Sequence, residues 1–191
     1  MYSQITNNMR TFIALDISNT SLLEGLQNEL VTENKWNQQI IQPVRNDNFH
    51  FTIIFLGDID SENIERIKTK LAELQFKPIN ITYLNIGVFP NLYSPRVVWV
   101  GVDKIGGQQL ISLSAKVISK ISDIGFKPDK AFIPHLTLFR IRNRELDLKN
   151  TLSKYNGSTF GSDIITRLQL KQSIISQSGP IYSNIFTVDA K

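Results

Sequence analysis

Two segments of the chain repeat one short pattern, a histidine followed two positions later by a threonine. The first is His50-Phe51-Thr52-Ile53 and the second is His135-Leu136-Thr137-Leu138. Both lie in β-prone runs, and they occupy matching places in a repeated order of predicted elements: strand, helix, histidine-bearing strand, helix, strand. The halves share little residue identity, so the repeat concerns the order of elements only. A parallel α/β sheet is possible, but a duplicated α+β lobe explains the repeat better.

Hydrophobic periodicity and turn residues place the individual elements. Strands are predicted over 11–17, 49–56, 79–89, 96–102, 132–141, 164–175 and 181–188. Two helices are predicted to begin at the N-caps Ser21 and Ser61, and two more to span 108–124 and 146–155. We therefore predict a bilobal α+β fold, in which two antiparallel sheets face a central cleft and the helices lie on the outside.

The composition limits the chemistry available in such a cleft. The chain has no cysteine, which excludes disulfide scaffolds, thiolate metal sites and cysteine nucleophiles, and its two histidines are too few for a histidine-rich metal site. Asp47, Asp58 and Asp60 flank the first motif but are predicted turn and cap residues, so no metal site is expected. The net charge of +4 fits an anionic ligand or nucleic acid, although a solvated surface explains it as well.

Strand geometry gives the repeated motif a chemical meaning. Side chains at i and i+2 share one face, so each histidine and its threonine are expected to point together into the cleft. The opposite face is expected to form core, with Phe49, Phe51, Ile53, Phe55, Leu136 and Leu138. Two imidazoles can act as acid and base near neutral pH, and threonine hydroxyls can bind phosphate oxygens. This set suits in-line displacement at a phosphodiester without a metal or a covalent intermediate.

Five segments, in order, resemble the 2H phosphoesterases, and within them the RNA 2′,3′-cyclic phosphodiesterases, also described as 2′-5′ RNA ligases. They are the opening 9–16, the first motif with Phe55-Leu56-Gly57, the middle segments 87–91 and 94–99, the second motif within 132–140, and the C-terminal 178–182 with its Gly-x-x-Tyr ending. The resemblance implies an N-terminal extension over 1–8 and a single domain over 9–191, made of two pseudo-symmetric lobes.

The resemblance also implies roles that residue chemistry alone leaves open. His50 would be the proton donor to the leaving 3′-oxygen, and His135 the base that activates water. Thr52 and Thr137 would bind the phosphate. The implied substrates are RNA ends or 2′,3′-cyclic nucleotides, the implied product is a 2′-phosphomonoester, and no cofactor is needed. The reverse reaction, joining a 2′,3′-cyclic end to a 5′-hydroxyl, would use the same groups.

Further side chains are candidates for substrate binding. Arg140 is a candidate contact to phosphate, but its parity along an ideal strand is opposite to that of His135, so a twist or bulge must re-aim it. Arg142 and Arg144 are expected to be surface charges that attract RNA. Four aromatic residues are candidates for stacking on a base: Phe55, Phe89, Trp99 and Tyr182. Strand aromatics are usually core, and we favour Tyr182, which follows a Gly-Pro pair.

Other interpretations remain open from the sequence. The protein could act as a 2′-5′ RNA ligase, could bind RNA without turnover, or could apply the same chemistry to another cyclic or 2′-5′-linked substrate. The N-terminus resembles no secretory signal, and no apolar run is long enough to cross a membrane. We therefore expect a cytoplasmic monomer that needs neither a membrane nor an obligatory protein partner.

Overall fold

The structure is a computed structural model that describes residues 8–37, 39–142, 146–177 and 179–191. Arg144, Ser178 and residues 1–7 of the expected extension lie outside the described residues. In chain order the elements are β1 (Met9–Asp16), α1 (Thr20–Asn34), β2 (Ile41–Pro43), a 3-10 helix (Asn46–Asn48), β3 (His50–Ile59), α2 (Ser61–Ala72), β4 (Ile79–Phe89), β5 (Val97–Val102), α3 (Lys104–Ser122), β6 (Leu136–Ile141), α4 (Lys149–Lys154), β7 (Thr159–Ile165), β8 (Arg167–Ser176) and β9 (Gly179–Asp189).

The strands form two antiparallel sheets, as predicted. The first sheet has the order β3-β1-β8-β9 and the second has the order β2-β6-β5-β4-β7. Each sheet therefore contains one of the two histidine motifs, the first in β3 and the second at the start of β6. Together with the helices, this arrangement confirms the α+β class and the two-lobed architecture.

The two sheets do not coincide with the two halves of the chain. The first sheet is completed by β8 and β9 from the C-terminal end, whereas β2 and β4 from the first half belong to the second sheet. The repeated order of elements is present, but each lobe draws strands from both halves. The lobes are consequently tied together by the backbone at several points.

Three helices begin at an Asn or Asp that the sequence analysis did not choose as a cap. Asn19 caps α1 instead of Ser21, and Asp60 caps α2 instead of Ser61; each side chain accepts a backbone N–H from the first turn. Asp103 caps α3, which starts four residues before the predicted position. In each case the oxygen that reaches the free N–H groups lies one or more residues earlier than expected.

The early start of α3 brings Gly106 against β4. A Cβ at this position would lie 2.8 Å from Cγ2 of Ile81 and 2.9 Å from the carbonyl oxygen of Asn80. Only glycine permits this close approach of helix to strand. The short strand β2 was not predicted, and the predicted strand 164–175 combines the last two residues of β7 with most of β8. Both β2 and β7 lie at edges of the second sheet, where a strand needs only one neighbour.

One continuous core joins the sheets and helices. α1 lies against β6 and β7, α4 against β4, and α2 against α3 and β9. The apolar stripes of the helices are buried as expected, with α1 contributing Leu23, Leu26 and Leu30, α2 contributing Ile64, Ile67 and Leu71, and α3 contributing Leu110, Leu113, Val117 and Ile121. Among the described residues, no helix has the length and apolar character required to cross a bilayer.

A buried carboxylate connects this core to the first histidine motif. Asp163 in β7 is 6% exposed and accepts the backbone N–H groups of Ser18 and Asn19, at 3.1–3.2 Å, and the hydroxyl of Tyr83, at 3.1 Å. Burial and this carboxylate raise the pKa of Tyr83 far above its ordinary value, so the phenol remains a donor. The ring of Tyr83 stacks on Phe51 with centroids 6.5 Å apart. Through Tyr83, Asp163 thus helps to position Phe51, the residue between His50 and Thr52.

Removing this carboxylate should destabilise the protein. Asp163→Ala leaves three backbone N–H groups, those of Ser18, Asn19 and Ile164, and the Tyr83 phenol without this acceptor. We expect the free energy of unfolding to fall by about 2–4 kcal/mol. Chemical denaturation measures this loss. Asp129→Ala, at an exposed loop position, serves as the control and should change stability by less than about 0.5 kcal/mol. Equal stability of the two variants would contradict the anchoring role.

Candidate active site

The first histidine is held by its own backbone. His50 is the first residue of β3, and its Nδ1 lies 2.8 Å from the carbonyl oxygen of Asn48. Because a carbonyl only accepts, Nδ1 carries the proton of this hydrogen bond. The other ring nitrogen, Nε2, lies 2.9 Å from Oγ1 of Thr52. The histidine and threonine of the first motif therefore point the same way, as the strand geometry predicts.

The second histidine is held in the same manner. Nδ1 of His135 donates to the carbonyl oxygen of Ile133 at 2.7 Å, again two residues earlier in the chain. His135 immediately precedes β6, which begins at Leu136 and not at 132 as predicted. Pro134 has no N–H to contribute to a sheet, which is consistent with the later start. Both imidazoles thus keep Nδ1 for the backbone and leave Nε2 for the cleft.

A bulge in each motif strand places the residue five positions after the histidine on the same face of the sheet as the histidine. In β3 the register with β1 skips Ile53, and in β6 the register with β5 skips Leu138. Beyond each bulge the parity is reversed, so Phe55 and Arg140 share the face of their histidines. Arg140 is therefore re-aimed as its candidate role requires.

The expectation that Phe55 is a core residue is wrong for the same reason. Its side chain is 73% exposed, and it pairs with Phe12 on β1, whose ring centroid lies 5.9 Å away. The other residues expected on the core face are buried: Phe49, Phe51, Ile53, Leu136 and Leu138. Phe55 thus stands at the cleft as an accessible aromatic ring.

The bulge in β6 is stabilised from outside the sheet. The carbonyl oxygen of Leu138 accepts Nε2–H of Gln27, at 2.7 Å, and the backbone N–H of Val44, at 2.9 Å. Gln27 belongs to α1 and is 5% exposed. The carbonyl of the bulged residue therefore accepts two hydrogen bonds, one from a buried amide of α1 and one from the residue that follows β2.

Aromatic rings surround each imidazole. The ring of His50 lies 5.0 Å from Phe12 and 5.3 Å from Tyr182, the latter nearly perpendicular. The ring of His135 lies 4.9 Å from Phe89, also perpendicular, and 6.2 Å from Trp99. The two lobes thus surround their histidines with aromatic rings from different strands. Three of the four candidates for stacking on a base, Tyr182, Phe89 and Trp99, lie beside a histidine.

Trp99 depends on two glycines. A Cβ on Gly87 would lie 2.1 Å from Cζ2 of the indole, and one on Gly101 would lie 3.2 Å from Cζ3. The indole therefore lies flat across the sheet where neither neighbour has a side chain. Trp99 pairs with Thr137 across the strands, so this surface continues to the second motif.

The electrostatic surroundings disfavour protonation of both imidazoles. Burial is the main cause that lowers the pKa of His50 to about 4; the hydrogen bond to Asn48 opposes it, and the charges of Lys171, Arg140 and His135 add to it. Burial also lowers the pKa of His135 below its ordinary value of 6.5, against the hydrogen bond to Ile133. The influence of Arg140 and His135 on His50 joins the two motifs in one electrostatic site.

Two charged residues of this site were not foreseen. Lys171 in β8 is ion-paired with Asp16 in β1, on the cleft side of the first sheet. The alternation in β8 could have indicated it, because Leu168 and Leu170 are core while Gln169 and Lys171 are the polar residues that alternate with them. Within the described part of the chain, no three His, Asp or Glu side chains are grouped as metal ligands would be.

The histidine geometry predicts a measurable tautomer. Neutral His50 and His135 should both carry the proton on Nδ1, and both should titrate below pH 6.5, with His50 near 4. Long-range ¹H–¹⁵N correlation spectra report both properties, and His135→Gln assigns the signals because the chain has two histidines. A neutral ring protonated on Nε2 would contradict the described hydrogen bonds.

Comparison with known proteins identifies the family. Residues 18–99 match the model for LigT-like phosphoesterases. An RNA 2′,3′-cyclic phosphodiesterase of Archaeoglobus fulgidus is 34% identical over 177 residues, which cover 93% of this chain and 98% of that protein. One of Aquifex aeolicus is 38% identical over 146 residues, 73% and 77% of the two chains.

A solved structure shows the same fold. Escherichia coli LigT in complex with 3′-AMP superposes with a TM-score of 0.76 at 23% identity, covering 96% of this chain and 99% of that one. The fold, the paired histidine motifs and the similarity over nearly full-length relatives agree. The chain belongs to the LigT-like phosphoesterases of the 2H superfamily, together with the RNA 2′,3′-cyclic phosphodiesterases of these organisms.

Proposed function

We propose that this protein hydrolyses the 2′,3′-cyclic phosphate ends of RNA to 2′-phosphomonoesters by acid–base catalysis with two histidines. The observation that carries this proposal is the matched pair of imidazoles, each with Nδ1 bound to a carbonyl and Nε2 directed away from it. The names of the Archaeoglobus and Aquifex relatives support the substrate class.

The reaction needs one proton taken and one proton given. Nε2 of His135 accepts a proton from water as the water oxygen bonds to phosphorus. The bond from phosphorus to the 3′-oxygen breaks on the opposite side, and Nε2–H of His50 protonates that oxygen. One water is consumed, and the products are a 2′-phosphate and a 3′-hydroxyl. The assignment of acid and base follows the family resemblance.

The groups that would bind the phosphate are two threonine hydroxyls and one guanidinium. Thr52 and Thr137 would donate hydrogen bonds to the non-bridging oxygens, and Thr52 would exchange its present bond to His50 for one to the ligand. Arg140 contributes a positive field at His50, which favours an anion in the same place. Phe55 and Tyr182, beside the first histidine, would pack against the base or ribose.

Substitution of either histidine should abolish most of the activity. We expect His50→Ala and His135→Ala each to lose at least ~100-fold in kcat on a nucleoside 2′,3′-cyclic phosphate, while EDTA leaves the native rate unchanged. Product analysis should show the 2′-phosphate isomer. Arg66→Ala on α2, an exposed cation, is the control. RNA binding without product, full activity of both variants, or a 3′-phosphate product would refute the proposal.

A sulfur leaving group separates the two roles. A substrate with sulfur at the bridging 3′ position expels a thiolate that needs no general acid. His50→Ala should therefore recover most of its activity on this substrate, and His135→Ala should not. Recovery in His135→Ala instead would reverse the assignment of acid and base without changing the reaction.

The lowered pKa values predict an acidic pH optimum. The free enzyme must hold a proton on His50, whose pKa is about 4, and none on His135, whose pKa is below 6.5. The fraction of enzyme in which His50 is protonated and His135 is neutral is largest between the two pKa values. We therefore expect kcat/KM to be maximal below pH 6.5 and to fall tenfold per pH unit above the higher of the two values. Bound phosphate raises the pKa of His50, so kcat should peak at higher pH than kcat/KM. A kcat/KM optimum above pH 7.5 would contradict these assignments.

A further inference from the structure

A buried ion pair lies next to the candidate acid and has no role in the steps above. Nζ of Lys171 is 2.9 Å from Oδ1 of Asp16, and the side chains are 9% and 17% exposed. Nζ also donates to Oδ1 of Asn184 at 2.9 Å. These two contacts occupy two of the three N–H donors of the ammonium group and hold it against the first sheet.

The strand register places the pair on the face of His50. Asp16 lies directly opposite His50 in the β1–β3 ladder. Lys171 lies opposite Phe12 in the β1–β8 ladder, and the ring of Phe12 packs on His50 at 5.0 Å. Phe12 also meets Tyr182 of β9 at 4.9 Å, across the strand that carries Lys171, which accounts for the burial of the lysine. The ion pair is therefore covered by the same rings that surround the imidazole.

Charges in such a place act strongly on a neighbouring ring. Water screens a buried charge poorly, so its field extends further than that of a surface lysine. The ammonium of Lys171 opposes a positive charge on His50, and it is among the causes that lower the pKa of this histidine. A carboxylate has the opposite sign, so Asp16 partly offsets the field of the ammonium group to which it is paired. A buried ion pair is weak evidence of added stability, because an apolar pair of similar volume is often as stable.

We propose that Lys171 and Asp16, on the same face of the first sheet as His50, are positioning residues that touch no substrate and set by their opposed charges how readily this imidazole holds its proton. The catalytic consequence rests on the proposed function, whereas the effect on His50 is a property of the free protein. Besides this pair, the titratable groups that face His50 within the described ranges are Tyr182 on β9, Arg140 on β6, and His135 before β6.

The test is a titration of both histidines by NMR in variants of opposite sign. Lys171→Met removes the positive charge and should raise the pKa of His50 by about half a pH unit or more. Asp16→Asn leaves the lysine uncompensated and should lower it, so that less of His50 is protonated at pH 4 than in the native protein. His135 is an internal control, because neither charge is among the causes that shift its pKa.

A second variant keeps the test decisive if a single substitution prevents folding. Lys171→Met combined with Asp16→Asn buries no lone charge. It should raise the pKa of His50, because Lys171 is the member of the pair among the causes that lower it. The rise should be smaller than in Lys171→Met alone, because the offsetting carboxylate of Asp16 is removed as well. Lys120→Met, which breaks the exposed pair between Lys120 on α3 and Glu73 at the end of α2, is the matched control and should shift the pKa of neither histidine.

The outcomes separate a tuning role from a structural one. A loss of thermal stability with an unchanged titration of His50 in the folded variants, or shifts of the same sign in Lys171→Met and Asp16→Asn, would overturn the proposal. If the native protein also turns over 2′,3′-cyclic phosphates, the limb of kcat/KM that belongs to His50 should move with the NMR value. If it does not, the proposed function fails while the titration still decides the role of the pair.

Discussion

The single-residue bulges in β3 and β6 are the constraint on which the site depends. In a regular strand, the residue five positions after each histidine would point into the core, away from the imidazole. Each bulge reverses the parity once, after the threonine, so that histidine, threonine and a fifth residue share one face. The fifth residue is an aromatic ring in one lobe, Phe55, and a guanidinium in the other, Arg140. An approximately symmetric scaffold thereby gains a site with chemically different ends.

The cleft opposes positive charge on its own histidines. Burial and the charges of Lys171 and Arg140 favour the neutral form of His50, although an acid must hold a proton to give one. A phosphate anion reverses this balance, because its negative charge lies against the same ring and the same cations. His50 therefore holds its proton more readily when a phosphate is bound than in the free protein.

Sequence alone located the chemistry but not its full surroundings. The paired motifs, the face shared by each histidine and threonine, and the antiparallel α+β class follow from strand periodicity, and the structure has all three. Regular alternation predicts Phe55 in the core, because the residues around it are apolar on both faces and the hydrophobic pattern does not reveal the bulge at Ile53. Lys171 was missed because its partner Asp16 is brought near it only by the pairing of a C-terminal with an N-terminal strand. The helix caps were displaced because Asn and Asp compete with nearby Ser for the same N–H groups.

The hydrogen bond from each Nδ1 to a backbone carbonyl has a consequence for the catalytic cycle. Neither imidazole has a carboxylate partner at this bond, so each ring exchanges protons with its surroundings through Nε2 alone. In the proposed hydrolysis, one turnover leaves His135 protonated and His50 neutral, the reverse of the starting state. The enzyme that releases product therefore has the opposite protonation state at both histidines from the enzyme that binds the next substrate. A return of protons through solvent, at the same two nitrogen atoms that served the substrate, must complete every cycle.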